Sequence, residues 1–433
     1  EVVSHAKEHP SAWIRGRGWD QNDWLQAEWP NRRALDSLFP NVPVVLERID
    51  GHAIIVNGEG LRRVGLTCDM EQDGGVILCD DNNEPTGVLI DEMANRVLRF
   101  MPEYDSLYRV QAFLEAQTTM LEHGLTQITD AGLSSKEIER LLAFEKQGLL
   151  KLRINAMVSG NDDDIGWLLE NGPITTDRIT VQSVKFYMDG ALGSRGAMLI
   201  DPYSDLKGWR GVSMLDRDWF KSQLEQLHAS GMQAATHCIG DSAVRLVLNA
   251  YAEVLDGPND RRWRIEHAQV VAKDDMNQFG TYHIIPSIQP THATSDMYWA
   301  GERLGRNRIR RAYAYQELLA QNGMVALGTD FPVEDIDPRK TMYAATARRD
   351  AAGYPDEGFQ MKNALTPDQT LRGMTQWAAL TQFQEQDLGT IEVGKFADFT
   401  WMDRNWLKVS PKDLLSTRIM GTCIEGEWVY LNE

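Results

Sequence analysis

The chain has 433 residues, 42% of them hydrophobic, and a formal charge of −19 at pH 7. That length suits one large α/β core with an accessory piece better than several small domains. The acidic balance argues against nucleic acid and anionic membranes as partners, and no apolar run reaches the roughly 18 residues that a spanning helix needs.

The N-terminal stretch Glu1-Val2-Val3-Ser4-His5 has neither an initiator methionine nor a signal-peptide layout. Residues 10–30 hold Trp13, Trp19, Trp24 and Trp29, dense enough either to build a satellite core or to line an aromatic pocket. The stretch from Pro43 to His52 reads as a strand ending in a polar turn, with His52 equally readable as a surface residue or a site residue. Residues 74–92 read as a β-hairpin. The spacing of Leu107, Val110, Leu114, Met120 and Leu121 predicts a helix over about 105–123. Cys68, Cys79, Cys238 and Cys423 form no CxxC pair and no disulfide-dense pattern. They are compatible with a reducing compartment, which makes the cytoplasm the default location and leaves the periplasm open.

From here strands alternate with helices. Strand centres are predicted near Ile128, Ile154, Lys185, Thr236, Glu266, Ile288 and Leu327. Their mean spacing of about 33 residues fits one β/α unit of a barrel with insertions in some loops. Helices are predicted over 134–147, 216–230, 241–255, 273–279 and 307–322. The alternation predicts parallel strands with helical crossovers. The fold expected is therefore an α/β, (β/α)8 TIM-type barrel, of which seven strands are visible. After residue 366, helices are predicted over 367–377 and 411–417, and strands over Gly389–Lys395, Ala397–Met402 and Cys423–Tyr430. These strands are too few to be stable alone and require partners, as in a small composite β-sandwich. The expected division is 1–110 as an insertion or substrate-side segment, 111–365 as the barrel, and 366–433 as the sandwich piece.

The chemistry concentrates at strand ends. Lys185 lies inside the apolar run Val184–Met188, and a bare buried ammonium is costly unless paired, deprotonated or modified. His237, His267 and Asp330 stand near the ends of three later strands. Singly, each reads more readily as a core histidine, a turn cap or an ion-pair partner. Jointly, they would meet at the carboxyl mouth of a barrel, where active sites sit. Imidazole and carboxylate together suit zinc, iron or manganese. A lysine carbamylated by carbon dioxide would itself become a carboxylate, able to bridge two cations.

The sequence resembles the amidohydrolase superfamily, in its branch related to N-substituted formamide deformylase. The matching residues are Gly18-Trp19-Asp20-Gln21-Asn22-Asp23-Trp24, Asp50-Gly51-His52, Gly124-Leu125-Thr126, Asp130-Ala131-Gly132, Lys185 with Asp189-Gly190, His237 and Glu266-His267. They continue with Gln289-Pro290-Thr291-His292, Gly328-Thr329-Asp330 and the closing Gly394-Lys395 and Ala397-Asp398-Phe399. The family's His-x-His at the first barrel strand has no match among the nine histidines. The family places that motif, the first strand and half of the sandwich ahead of the tryptophan-rich stretch, so the reading expects residues before Glu1.

The resemblance implies a hydrolase of a C–N bond with an amide or N-substituted formamide substrate. Two divalent ions are implied, zinc first, with iron or manganese also suited. The carbamate of Lys185 would bridge them, with His237 and His267 on one ion and Asp330 on the other. Asp330 would also carry protons, and His52 or His292 would hydrogen-bond the developing oxyanion. Arg195 is expected to pair with Asp189 or Asp201, and Trp13, Trp19 and Trp24 to receive an apolar N-substituent. A homodimer is compatible with the fold, without a signal for it in the sequence. Competing readings keep the metal barrel but change the substrate to a lactone, a cyclic imide or urea, or a deamination substrate. Another reading is a metal-free binding relic of the enzyme.

Overall fold

The computed structural model describes residues 2–8 and 11–432. The chain divides into two compact units. The first holds the described residues up to Tyr104 together with Asp189–Asp216 and Trp299–Gly305; the second holds Asp105–Met188, Arg217–Tyr298 and the described residues from Arg306 on.

The first unit is built on a five-stranded sheet of β1 (Ile14–Trp19), β2 (Val44–Arg48), β3 (Ala53–Val56), β4 (Gly75–Cys79) and β5 (Pro85–Asp91), in the order β1-β2-β3-β5-β4. β1 runs parallel to β2, and the remaining pairs are antiparallel. The β4–β5 pair is the hairpin read from the sequence. Alternation along the strands splits the apolar residues between two faces. Ile54, Val56, Ile77 and Leu89 pack with Trp13 and Leu61 on one face. Ala53, Ile55, Val88 and Ile90 pack with Trp19 and Trp29 on the other.

This split corrects the expectation of one tryptophan cluster. Trp13 is a core residue lying 6.1 Å from Phe100, whereas Trp19 meets Trp24 at 6.1 Å and Trp29 at 6.2 Å. The cysteines also depart from expectation: Cys68 and Cys79 form a disulfide, and Cys238 and Cys423 are buried outside any disulfide among the described residues. Eleven residues separate the pair, a spacing that carried no recognisable signature.

The second unit contains β6 (Gln127–Leu133), β7 (Arg153–Ser159), the two-residue β8 (Ile174–Thr175), β9 (Ile179–Tyr187), β10 (Gln233–Cys238), β11 (Arg264–His267), β12 (Ile285–Ile288) and β13 (Ala326–Leu327). β8 pairs antiparallel with β9. The other seven are parallel neighbours in the order β13-β12-β11-β10-β9-β7-β6 and form a curled half-barrel sheet with helices. All seven predicted strand centres fall within them or, for Ile288 and Leu327, at their last residue. Every residue of β10, β11 and β12 is buried, as expected of parallel strands covered on both faces. Among the described residues no ladder joins β6 to β13, so the closed eight-stranded ring is not formed.

Helix boundaries follow local chemistry. Asp105 accepts from the Tyr108 amide at the start of the helix Ser106–Glu122. Ser134 and Glu137 make a capping box for Ser135–Lys146, and Thr366 and Gln369 make another for Pro367–Met374. The helix expected over 307–322 is broken: a 3-10 turn at Ile309–Arg311 precedes Tyr315–Asn322, with Tyr313 at φ 54 between them. The helix expected over 273–279 narrows to Gln278–Thr281.

At the C-terminus β14 (Phe399–Met402), β15 (Ile419–Ile424) and β16 (Glu427–Leu431) form an antiparallel sheet. The strand expected over Gly389–Lys395 is absent, because Gly389 at φ 87 and Gly394 at φ 100 turn the backbone instead. The small sheet is tied to the rest of its unit by polar links. Arg153 of β7 binds Asp398 at 2.6 Å and Glu425 at 2.9 Å, and the Thr422 hydroxyl donates to the Leu121 carbonyl at 2.6 Å. Among the described residues no helix is long and apolar enough to cross a membrane.

Candidate metal centre

Strand register explains why distant residues share one face. Lys185 sits beside Ala235, Tyr187 beside His237, and His237 beside Glu266. Aligned residues of parallel strands point the same way, so Lys185, Tyr187, His237 and Glu266 line one side of the sheet. His267, one residue beyond Glu266, would by alternation face the opposite side. It does not, because its φ is 72 and that of Ala268 is 41. This left-handed turn at the end of β11 brings the imidazole back to His237, with ring centroids 4.6 Å apart. Asp330, after β13, also has positive φ, at 59. Such strained positions cluster at functional sites.

The tightest convergence is His267, His292 and Asp330, each offering a ligand atom within 4.8 Å of the others. The His267 and His292 rings stack with 14° between planes. His292 Nε2 is buried, lacks a hydrogen-bond partner among the described residues, and lies 3.5 Å from Asp330 Oδ2. His267 Nδ1 contacts the Gln289 amide oxygen at 2.8 Å. That oxygen only accepts, so Nδ1 carries the proton and Nε2 is left for a cation. Burial, together with the charges of Lys185 and His292, outweighs Asp330 and Glu266 and lowers the His267 pKa to about 4. The ring is thus neutral at ordinary pH, as a metal-binding imidazole must be. Two imidazole nitrogens and one carboxylate, with an orphaned nitrogen among them, fit a divalent zinc-like cation.

The other sequence candidates fall as follows. Lys185 is 4% exposed, and its Nζ rests over the Tyr187 ring, 4.0 Å from the centroid. The Tyr187 ring in turn lies 5.5 Å from that of His237. Lys185 thus belongs to the same neighbourhood, with its amine on an aromatic face. His52 belongs to the first unit, where Nδ1 meets Asp91 Oδ1 at 2.7 Å. Arg195 pairs with Asp205 at 2.9 Å rather than with Asp189 or Asp201, because Asp189 instead accepts from the Met198 amide. Gln289 and Tyr187 escaped the sequence reading. Gln289 stood inside a quoted motif, and the period-2 step from Lys185 to Tyr187 was the available signal.

Close to the sheet's inner row, Asn155 Oδ1 and Ser183 Oγ are buried without hydrogen-bond partners among the described residues. Beside them Arg264 Nε and Glu266 Oε1 form a buried ion pair at 3.0 Å. The centre therefore rests on a polar floor.

The chain is 31% identical to Protein LONG AFTER FAR-RED 3 of Arabidopsis thaliana over 450 residues, covering 99% of this chain and 76% of that protein. It is 25% identical to N-substituted formamide deformylase of Arthrobacter pascens, covering 97% of this chain and 79% of that enzyme. The crystal structure of an uncharacterized metal-dependent hydrolase from Pyrococcus horikoshii OT3 superposes with a TM-score of 0.76 at 26% identity, covering 95% of this chain and 80% of that one. The sequence model of the amidohydrolase family matches residues 1–430, and the chain belongs to that family.

Proposed function

We propose that this hydrolase cleaves a C–N bond of amide or N-substituted formamide type in a small molecule, using divalent metal. The observation that carries the reading is the convergence of His267, His292 and Asp330 within 4.8 Å. These three would hold one cation, and His237 would hold a second together with a carbamate on Lys185. A divalent cation bound there supplies Lewis acidity and lowers the pKa of water in the site from about 15.7 toward about 7.

The side chains do the rest. The Asp330 carboxylate takes a proton from the attacking water and delivers it to the leaving amine. The orphaned Nε2 of His292 favours a ligand role for that residue over the oxyanion role expected from the sequence. Residues 1–110 would be an insertion, with 111–365 as barrel and 366–433 as sandwich piece.

The test is metal analysis of the purified protein together with turnover of 4-nitroformanilide, an aromatic formamide that releases coloured 4-nitroaniline. Expected are bound zinc, iron or manganese, and hydrolysis that stops on chelation and returns on adding metal. Protein without metal that cannot be loaded points to the binding relic. Loaded protein that opens lactones or cyclic imides but leaves formamides intact overturns the choice of bond.

A further inference from the structure

The three residues of the tightest convergence are tied to one short helix. His292 lies on the helix Pro290–Asp296, whose 7 residues are too few to hold a helix by themselves, so its place is set by what it touches. At its start, the Gln289 amide oxygen meets His267, and the Gln289 carbonyl accepts from the Tyr315 hydroxyl at 3.0 Å. Along its flank, the Ser295 hydroxyl donates at 2.6 Å to Glu334, in the segment that follows Asp330. At its end, Asp296 Oδ2 accepts from the Tyr313 hydroxyl at 2.7 Å and from the side-chain amide of Gln269 at 3.3 Å. Gln269 belongs to the turn that carries His267.

The bonds at the end of the helix do not serve the helix itself. A carboxylate on the last residue faces the negative end of the helix dipole, an unfavourable place for it. Tyr313, at φ 54, adopts a conformation that bulky side chains avoid. The strained backbone is held on both sides. The Tyr313 amide donates to the Gln269 carbonyl at 2.8 Å, and the buried guanidinium of Arg348 donates to the Tyr313 carbonyl at 3.4 Å. The Gln269 side chain also donates to the Tyr313 hydroxyl at 3.1 Å, which closes a triangle with Asp296. Tyr313 is fully buried, and burial, with the Asp296 charge adding to it, holds its phenol well above the usual pKa, so the hydroxyl stays a donor.

We propose that Tyr313 and Asp296 are positioning residues for the candidate centre: their hydrogen bond locks the helix bearing His292 to the turn bearing His267 and so sets the spacing of the two imidazoles for a single divalent cation. The inference deepens the reading given above and rests on it, since it needs a cation between His267, His292 and Asp330. Neither positioning residue touches the cation. Without their bond the helix keeps its anchor at Gln289 but is released at its far end. The parallel rings of His267 and His292, 5.7 Å apart between centroids, are then no longer held in one arrangement. Ligands ordered during folding bind a metal more tightly than ligands that must be ordered by it.

The experiment titrates cobalt(II) into metal-free parent, Tyr313→Phe, Asp296→Ala, His292→Asn and the double variant of Tyr313→Phe with His292→Asn. The visible absorption of the bound ion is followed, because it responds to ligand geometry, and the metal-free melting temperature of each protein is recorded beside it. The equivalent of cobalt weakened in His292→Asn is the one that the three residues hold. Tyr313→Phe and Asp296→Ala are each expected to weaken that equivalent about tenfold or more and to alter its absorption band, with metal-free melting temperatures within a few degrees of the parent. In the His292→Asn background Tyr313→Phe is expected to add less than about threefold. Parental affinity and absorption in Tyr313→Phe overturns the proposal, as does a loss that persists in full without His292. A lower metal-free melting temperature with unchanged cobalt affinity marks a bond that serves stability alone and overturns it too. Parent that takes up no cobalt, or His292→Asn with parental affinity, overturns the reading of the centre and the proposal with it. Should Tyr313→Phe fail to fold, Asp296→Ala decides by the same outcomes, since it removes the same bond from the helix side.

Discussion

His292 Nε2 stands 3.5 Å from Asp330 Oδ2, too far for a hydrogen bond and close enough for both atoms to hold one cation. The pair comes from two different strand ends and is completed by His267. Substituting Asp330→Asn is therefore expected to lower kcat by about 100-fold or more while the fold persists, because the proton carrier goes with the charge. Steady-state kinetics with circular dichroism check this; parental kcat would remove Asp330 from the chemistry.

Gln289 is expected to matter for the metal without touching it. Its amide oxygen fixes the His267 tautomer. Gln289→Leu should weaken metal retention by about 10- to 100-fold, the usual cost of losing a partner behind a ligand. Competition against a coloured chelator measures it, and unchanged affinity would dissociate the two residues.

Asp130 makes a pH prediction. Burial, with the Glu137 charge adding to it, raises its pKa from 3.8 to about 6. Between those values the native state binds more protons than the unfolded state, so stability falls as pH rises through this window. Asp130→Asn removes that loss. Its melting temperature should match the parent at about pH 4 and exceed it at about pH 8, as scanning calorimetry would show. An equal difference at both pH values would mean that the carboxyl is not strained by burial.

The Cys68–Cys79 bond closes an eleven-residue separation in the first unit. In the chain-entropy account a loop of this size stabilises by about 3 kcal/mol. Reductant, or the double change Cys68→Ser with Cys79→Ser, should lower the melting temperature. Free-thiol counting on denatured, unreduced protein tests the bond directly: two thiols are expected from Cys238 and Cys423, and four would exclude it.

What could be read from the sequence is uneven for physical reasons. Six of the seven parallel strands were legible because each is a short, largely buried run among helices with clear caps, such as Ser134 and Thr366, whereas β6 is only half-buried and was legible by its place in the strand–helix rhythm. Asp330, His267 and His292 were legible because they end or follow such runs. Tyr313 was not: its partner Asp296 lies 17 residues away, and in sequence it is one more tyrosine inside an expected helix. Tryptophan density near the N-terminus suggested one cluster, but which sheet face each ring takes depends on strand pairing, and Trp13 and Trp19 went to opposite faces. The broken helix near Tyr313 and the turn at Gly389–Lys395 were lost to single residues with positive φ, which composition does not reveal.

The left-handed backbone at His267 and Asp330 bears on how the centre should be dissected. Asparagine and glycine tolerate that conformation far better than alanine does. An alanine replacement would therefore mix the loss of a ligand with a displaced main chain, and its defect could not be assigned to either. Asparagine at both positions keeps the turn intact, so whatever then goes missing belongs to the imidazole or to the carboxylate charge.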